Sequence, residues 1–255
     1  MSEAKKNTNQ ELSSRSSGEQ NTLAALMQHH QQLLPELGDS WNGHSVVTMT
    51  RQTLSRIVYY HQLYQKILNV PGVICEFGVQ WGATLSLLTA FRGMYEPYNY
   101  SRKLFGFDTF EGFCQVDKTF DGNHLHTGDY RVAAGHKNRL EQILTLHESQ
   151  SPLSHIKKFE LIQGDASATV TEWLEQNPHA IISMAIFDMD LYQPTKDVLT
   201  AILPRLTKGS VLVFDELNHS GFPGETKAVM EVLGLNNIRL ERFPHQANCA
   251  WAVFE

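Results

Sequence analysis

Val73-Ile74-Cys75-Glu76-Phe77-Gly78-Val79-Gln80-Trp81-Gly82-Ala83-Thr84 joins a short apolar run to a glycine-bearing turn, after which apolar residues recur at helical spacing. A run of this length, rich in β-branched and aromatic residues and closed by a turn, is a buried strand feeding a helix. The same alternation continues downstream. Strands are expected near Val73–Glu76, Lys103–Phe107, Phe159–Gln163, Ile181–Phe187, Ser210–Phe214, Ile238–Phe243 and Ala250–Phe254. Helices are expected between them near Thr84–Phe91, Ala168–Gln176, Thr195–Leu206 and Glu225–Leu233. Strands separated by helices form parallel βαβ units. The fold class is therefore α/β, a doubly wound, mostly parallel, seven-stranded sheet of Rossmann-like type. The short polar link Pro244–Asn248 joins the last two runs, which predicts a C-terminal antiparallel hairpin.

Upstream of the quoted stretch the pattern is helical. Apolar residues recur at three and four positions over Thr22–Leu34 and over Arg51–Val70, and Pro71-Gly72 ends the second helix. Residues 1–20 are polar and Ser-rich, and a segment that cannot bury apolar surface stays disordered. The expected organisation is a disordered tail over 1–20, N-terminal helices packing on the core over 21–70, and the sheet domain over 71–255. Within it, residues 111–155 are polar and rich in Gly and His (His124, His126, His136, His147), which suggests a lid or substrate loop.

Composition excludes several functions. A chain of 255 residues, 42% hydrophobic and 19% charged, fills a single catalytic domain. A net charge of −6 without a basic block gives no attraction for nucleic acid. No run of 18 apolar residues and no signal peptide is present, so the expectation is a cytoplasmic protein without a membrane partner. Three separated cysteines, Cys75, Cys114 and Cys249, fit neither a disulfide framework nor a structural zinc site.

In open α/β sheets ligands bind beyond the carboxyl ends of the strands, so the residues there carry the functional signal. Glu76 precedes Gly78 and Gly82, with Thr84 opening the helix. An acid at that place repels a pyrophosphate but suits a positively charged amino acid group, and the nicotinamide pattern G-x-G-x-x-G is absent. Asp108-Thr109 ends the second strand, where a carboxylate can accept two hydrogen bonds from a ribose diol; a helix N-cap is the other role open to Asp108. Gly164-Asp165 ends the third, where Asp165 can accept from an adenine amino group or cap the next helix. Three such ends in succession suit S-adenosyl-L-methionine, whose amino acid part and adenosine would lie along one sheet edge.

The fourth and fifth strands run into Asp188-Met189-Asp190-Leu191-Tyr192 and Asp215-Glu216-Leu217-Asn218. Four carboxyl groups at neighbouring strand ends are costly unless protonated or neutralised by a cation, and oxygen-only ligands favour Mg²⁺, with Mn²⁺ or Ca²⁺ as substitutes. A dication holding a diol would lower the pKa of an attacking hydroxyl, and a carboxylate would take its proton. At two-residue spacing, Asp188 and Asp190 point to one side if the strand geometry continues, so that one can bind metal and the other face the substrate. His219, just after the acidic pair, is a candidate substrate contact.

The run Val70–Val79, with Asp108-Thr109-Phe110-Glu111-Gly112-Phe113, Asp188-Met189-Asp190-Leu191-Tyr192 and Asp215-Glu216, resembles the macrocin O-methyltransferase family of metal-dependent enzymes that methylate sugar hydroxyls of natural products. Phe214-Asp215-Glu216-Leu217 is similar to the branch containing the calicheamicin sugar methyltransferase. The resemblance covers about residues 51–255. It implies a class I methyltransferase domain, Asp188, Asp215 and Glu216 as metal ligands and Asp190 as base. Many relatives carry two aspartates where this chain has Asp215-Glu216. A small sugar or glycoside acceptor and a homo-oligomeric state are the expected partners. A nucleotide-dependent oxidoreductase on a similar sheet and a non-catalytic S-adenosylmethionine-binding protein are the alternatives.

Overall fold

The computed structural model describes residues 16–255, which divide into two compact units at Val58. The expected tail over 1–20 lies mostly outside the described residues. Its last residues do not continue it, because helix α1 (Ser17–Leu37) opens with a capping box in which Glu19 N donates to Ser16 Oγ and Ser16 N to Glu19 Oε2. Both groups lack an intrahelical partner, so the pair fixes the start of the helix. The first unit continues through the short helix α2 (Trp41–His44) into α3 (Arg51–Ile67), and His30 Nδ1 meets Thr48 Oγ1 at 2.6 Å.

The second unit begins at Tyr59, and its sheet carries a core of buried apolar residues. Its elements are β1 (Val73–Phe77), α4 (Ala83–Tyr95), β2 (Leu104–Asp108), α5 (His136–Ser149), β3 (Phe159–Gln163), α6 (Ala166–Gln176), β4 (Ile182–Phe187), α7 (Tyr192–Ile202), β5 (Leu206–Phe214), α8 (Pro223–Val232) and β6 (Ala250–Val253). The strand order is β3-β2-β1-β4-β5-β6, parallel except that β6 runs antiparallel to β5. β4 is buried at every residue, as a central parallel strand covered on both faces must be. Phenylalanines that end β1, β4 and β5, and the one just before the end of β2, stack in a row: Phe107 on Phe77 at 4.7 Å, Phe77 on Phe187 at 5.6 Å, and Phe187 on Phe214 at 5.3 Å between ring centroids. That row is the floor directly beneath the strand ends where the motifs lie.

Six strands are described where seven were expected. Ile238–Phe243 forms no strand; only Glu241 bridges Trp251. Its alternating apolar residues are real, but Ile238, Leu240 and Phe243 are not fully buried, so nothing draws the segment into a full ladder. Two further boundaries differ. α7 begins at Tyr192 rather than Thr195, with Pro194 inside its first turn, where a missing N–H costs nothing because those groups have no intrahelical partner. The expected lid contains α5, a regular helix that buries His136, Leu140, Leu144 and Glu148 along one face.

Away from the motifs, Arg102 is buried at the opposite, amino-terminal edge of the strands. Its guanidinium donates to the carbonyls of Ile67, Val70 and Gly72, to Ser183 Oγ and to Glu96. Tyr64 donates to the same Glu96 carboxylate at 2.7 Å. One side chain thus ties the end of α3, the start of β1, and β4 together.

Candidate active site

β1 and β4 are hydrogen-bonded neighbours, with Phe77 opposite Phe187, although β2 and β3 lie between them in sequence. This is the place where the strand order reverses, which is where open sheets of this class bind their ligands. The residues that follow, Gly78 and Asp188, meet there: Asp188 N donates to Phe77 O, and a Cβ on Gly78 would lie 1.9 Å from Asp188 O. Gly78 also has φ +97°. Any side chain at 78 would therefore displace the turn that carries the acidic residues. The cofactor-type motifs lie on the β1–β2–β3 side of this point and the acidic motifs on the β4–β5 side.

On the first side Glu76 is 1% exposed, and Thr84 is buried in the first turn of α4. The Asp108 carboxylate accepts from Gln80 N at 2.7 Å and Phe110 N at 2.5 Å. It pins the glycine turn of β1 to the end of β2, and no helix follows for it to cap. Burial raises its pKa, and those backbone donors act against the rise. Thr109 folds its own loop, with Oγ1 donating to Gly112 O and accepting from Glu111 N. Gly164 N donates to Asp108 O. The Asp165 side chain caps α6 by accepting from Ser167 N at 2.9 Å, which is the capping role open to it in the sequence.

On the second side the structure brings Asp188, Asp190, Asp215 and Glu216 together. Asp190 is buried at φ +61° in a three-residue turn closed by Leu191 N donating to Met189 O at 2.7 Å. Burial first, then the charges of Asp188, Glu216 and Asp215, hold its carboxyl well above the usual carboxylate range. Cys249 Sγ donates to Asp215 Oδ1 at 3.1 Å, and Asn248 Nδ2 approaches Glu216 Oε2 at 3.5 Å. His219 Nδ1 accepts from Gly221 N and lies 3.8 Å from Glu216 Oε2. Among the described residues no three His, Cys, Asp or Glu side chains stand close enough to enclose an ion.

Sequence reading missed several residues here. Glu225, fully buried in the first turn of α8, accepts from Glu216 N at 3.0 Å; burial and then Asp215, Asp190 and Asp188 push its pKa up. Asp121 reaches the start of α7 from the 111–135 segment. Tyr130, from that segment too, has its hydroxyl pKa raised by burial and then by Asp190 and Glu216. Pro223-Gly224-Glu225 at a helix start was the one local cue for Glu225.

Residues 2–238 match the macrocin-O-methyltransferase (TylF) family. The chain belongs to that family. The crystal structure of CalS11, calicheamicin methyltransferase, superposes with a TM-score of 0.91 at 36% identity, covering 95% of each chain. An apo structure of CalS11, described as a TDP-rhamnose 3'-O-methyltransferase in calicheamicin biosynthesis, gives 0.84 at 34% identity over 95% of this chain and 96% of that one. The demethyldecarbamoylnovobiocin O-methyltransferase of Streptomyces niveus is 23% identical over 187 residues, which span 70% of this chain but only 65% of that relative. The O-methyltransferase NovP shares the fold, with a TM-score of 0.56 at 21% identity over 81% of each chain. In this chain the Asp188–Tyr192 run and the Asp215-Glu216 pair follow directly on the neighbouring strands β4 and β5.

Proposed function

We propose that this protein transfers the S-methyl group of S-adenosyl-L-methionine to a hydroxyl of a nucleotide-linked sugar or a glycosylated natural product, in the cytoplasm and with the help of a divalent cation. The observation that carries the reading is the meeting of two motif sets at Gly78 and Asp188: a cofactor-type edge on one side and four carboxyl groups on the other. Family membership supplies the reaction class, and the TDP-rhamnose acceptor named for CalS11 makes TDP-deoxysugars the first acceptors to try.

Glu76 and the Gly78–Thr84 turn are assigned to the amino acid end of the cofactor, Asp108 and Thr109 to its ribose, and Gly164-Asp165 to the adenine end. Asp108 already accepts two backbone hydrogen bonds, and its remaining lone pairs face the ligand in this reading. Asp188, Asp215 and Glu216 would hold the cation. The donor chemistry fits a hard dication: all oxygens, in a group whose charges oppose one another's ionisation. Bound there, Mg²⁺ would supply Lewis acidity that lowers the pKa of the acceptor hydroxyl. Asp190 then takes the hydroxyl proton; a carboxylate whose pKa burial has raised is a stronger base than one in water. His219, beside Glu216, is assigned to the acceptor.

Formation of S-adenosylhomocysteine and of a product heavier by one methylene, measured by mass spectrometry across a panel of TDP-deoxysugars and glycosides, tests the reading. Transfer is expected to stop in EDTA and return with Mg²⁺, while S-adenosylhomocysteine still binds the chelated protein. Full turnover in EDTA would remove the cation from the reading, and an absence of transfer to every sugar would remove the acceptor class.

A further inference from the structure

We propose that Asp121, on the polar segment that links β2 to α5, is a positioning residue that holds the Asp190 turn in its reactive shape by capping α7 from a distance; this rests on the assignment of Asp190 as the base. The turn needs holding. Asp190 has φ +61°, and Leu191 N bends back to Met189 O across it. A non-glycine residue in that conformation is strained, and it persists only where its surroundings fix both sides. On the amino-terminal side the fixing contact is Asp188 against Gly78. On the carboxyl-terminal side α7 offers no local cap, because Leu191 at the N-cap position makes no side-chain bond.

Asp121 supplies that cap across 71 residues of chain. Its Oδ1 accepts from Tyr192 N, the first helical N–H, at 2.7 Å, and its Oδ2 accepts from Asp117 N at 2.8 Å. The residue is 6% exposed. The carboxylate also abuts the start of α8: a Cβ on Gly224 would fall 2.3 Å from Asp121 Oδ1 and 2.5 Å from Tyr192 N. Phe120 stacks on the Tyr192 ring at 4.3 Å and 16°, and Lys227 of α8 donates to Thr119 O at 3.3 Å while lying 5.1 Å from the Phe120 ring. The 117–121 turn is thus wedged between the two helix starts that follow the two acidic motifs. Its hydrogen-bonded link to the Asp190 turn is the Tyr192 amide, beside the Phe120–Tyr192 stack and the Asp121 charge that acts on Asp190 together with the other carboxyls, so the positioning effect passes through the backbone and needs no contact with substrate.

Three variants separate this role from general stability. Asp121→Ala removes the acceptor, Asp121→Asn keeps an oxygen for Tyr192 N, and Gly224→Ala leaves Asp121 intact but drives a methyl group between it and the amide. Amide hydrogen exchange over 188–192, with S-adenosylhomocysteine bound, is expected to quicken at least tenfold in Asp121→Ala and Gly224→Ala and to stay near the parent rate in Asp121→Asn. In methyl transfer, kcat is expected to fall at least tenfold in the first two and to recover in Asp121→Asn, with the acceptor KM and the cofactor Kd within about twofold. Unchanged exchange at 188–192 in Asp121→Ala overturns the tether whether or not the parent protein transfers a methyl group. Faster exchange with an unchanged kcat overturns the catalytic role. A loss in kcat that Asp121→Asn fails to restore does so as well. If the parent transfers nothing, the proposed function fails and the exchange rates alone decide the tether.

Discussion

Asp188 and Asp190 stand two apart at the end of β4, yet the structure gives them different surroundings. Asp188 is hydrogen-bonded through its backbone to Phe77 and set against Gly78, whereas Asp190 is buried in a strained turn. That difference predicts different failures. Asp190→Asn should keep cofactor and metal binding and lose about two to four powers of ten in rate, which no Mg²⁺ concentration restores. Asp188→Asn should instead shift the Mg²⁺ dependence of the rate to higher concentration and recover in part when Mg²⁺ is raised. A rate for Asp190→Asn near the parent's at saturating Mg²⁺ would strike the base assignment. The acidic residues were legible because each lies within three residues of a strand end. Glu225, Asp121 and Cys249 were not, since each reaches the cluster from an element whose approach only tertiary packing decides. Gly78 was legible as part of the glycine-bearing turn after Glu76, and the structure adds a demand on it from across the sheet, the Asp188 carbonyl.

Elements were legible in proportion to how strongly burial shaped their sequence. The strands of the parallel core are continuous apolar runs, and the Phe77, Phe107, Phe187 and Phe214 row lies at or beside four of their ends. β5 starts earlier than its apolar run, because Leu206 already pairs with Ile182 of β4 while Leu206–Gly209 are not fully buried. α5 was hidden because only His136, Leu140, Leu144 and Glu148 face inward, and two of these are polar. The Arg102 hub was invisible for a similar reason: a lone Arg in a polar turn carries no sign of the carbonyls that will surround it. Replacing Arg102 with Met leaves the Glu96 carboxylate with its neutral donors Tyr64 and Asn99 but no paired cation, and leaves the Ile67, Val70 and Gly72 carbonyls without this donor. Breaking a buried pair in this way costs about 3–5 kcal/mol. Urea unfolding of Arg102→Met should show a loss of that size, and a loss under about 1 kcal/mol would mean that water replaces the guanidinium without penalty.

At the scale of the whole molecule, charge and exposed apolar surface predict association. The first unit exposes Met27, Trp41, Val46, Val47 and Leu54, each more than half accessible, and no residue of the 21-residue α1 is buried. Isolated helices draw little stability from propensity and most of it from packing an apolar face, so a long helix with nothing buried lacks its main support. Large apolar side chains left exposed in one unit are what a contact surface draws on, and the commonest closed arrangement of identical copies is a symmetric pairing. A net charge of −6 is small enough that two copies do not repel one another strongly at physiological salt. We therefore expect a homo-oligomer joined through the first unit, in line with the expectation from sequence. Light scattering coupled to size exclusion should give a mass at least twice that of the chain at micromolar concentration. The double substitution Met27→Glu, Val47→Glu places charges on that surface and should lower the mass toward one chain while the sheet unit's circular dichroism and cofactor binding persist. A parent protein that elutes as a monomer at tens of micromolar would refute self-association. An oligomer unaffected by the double substitution would place the interface elsewhere on the chain.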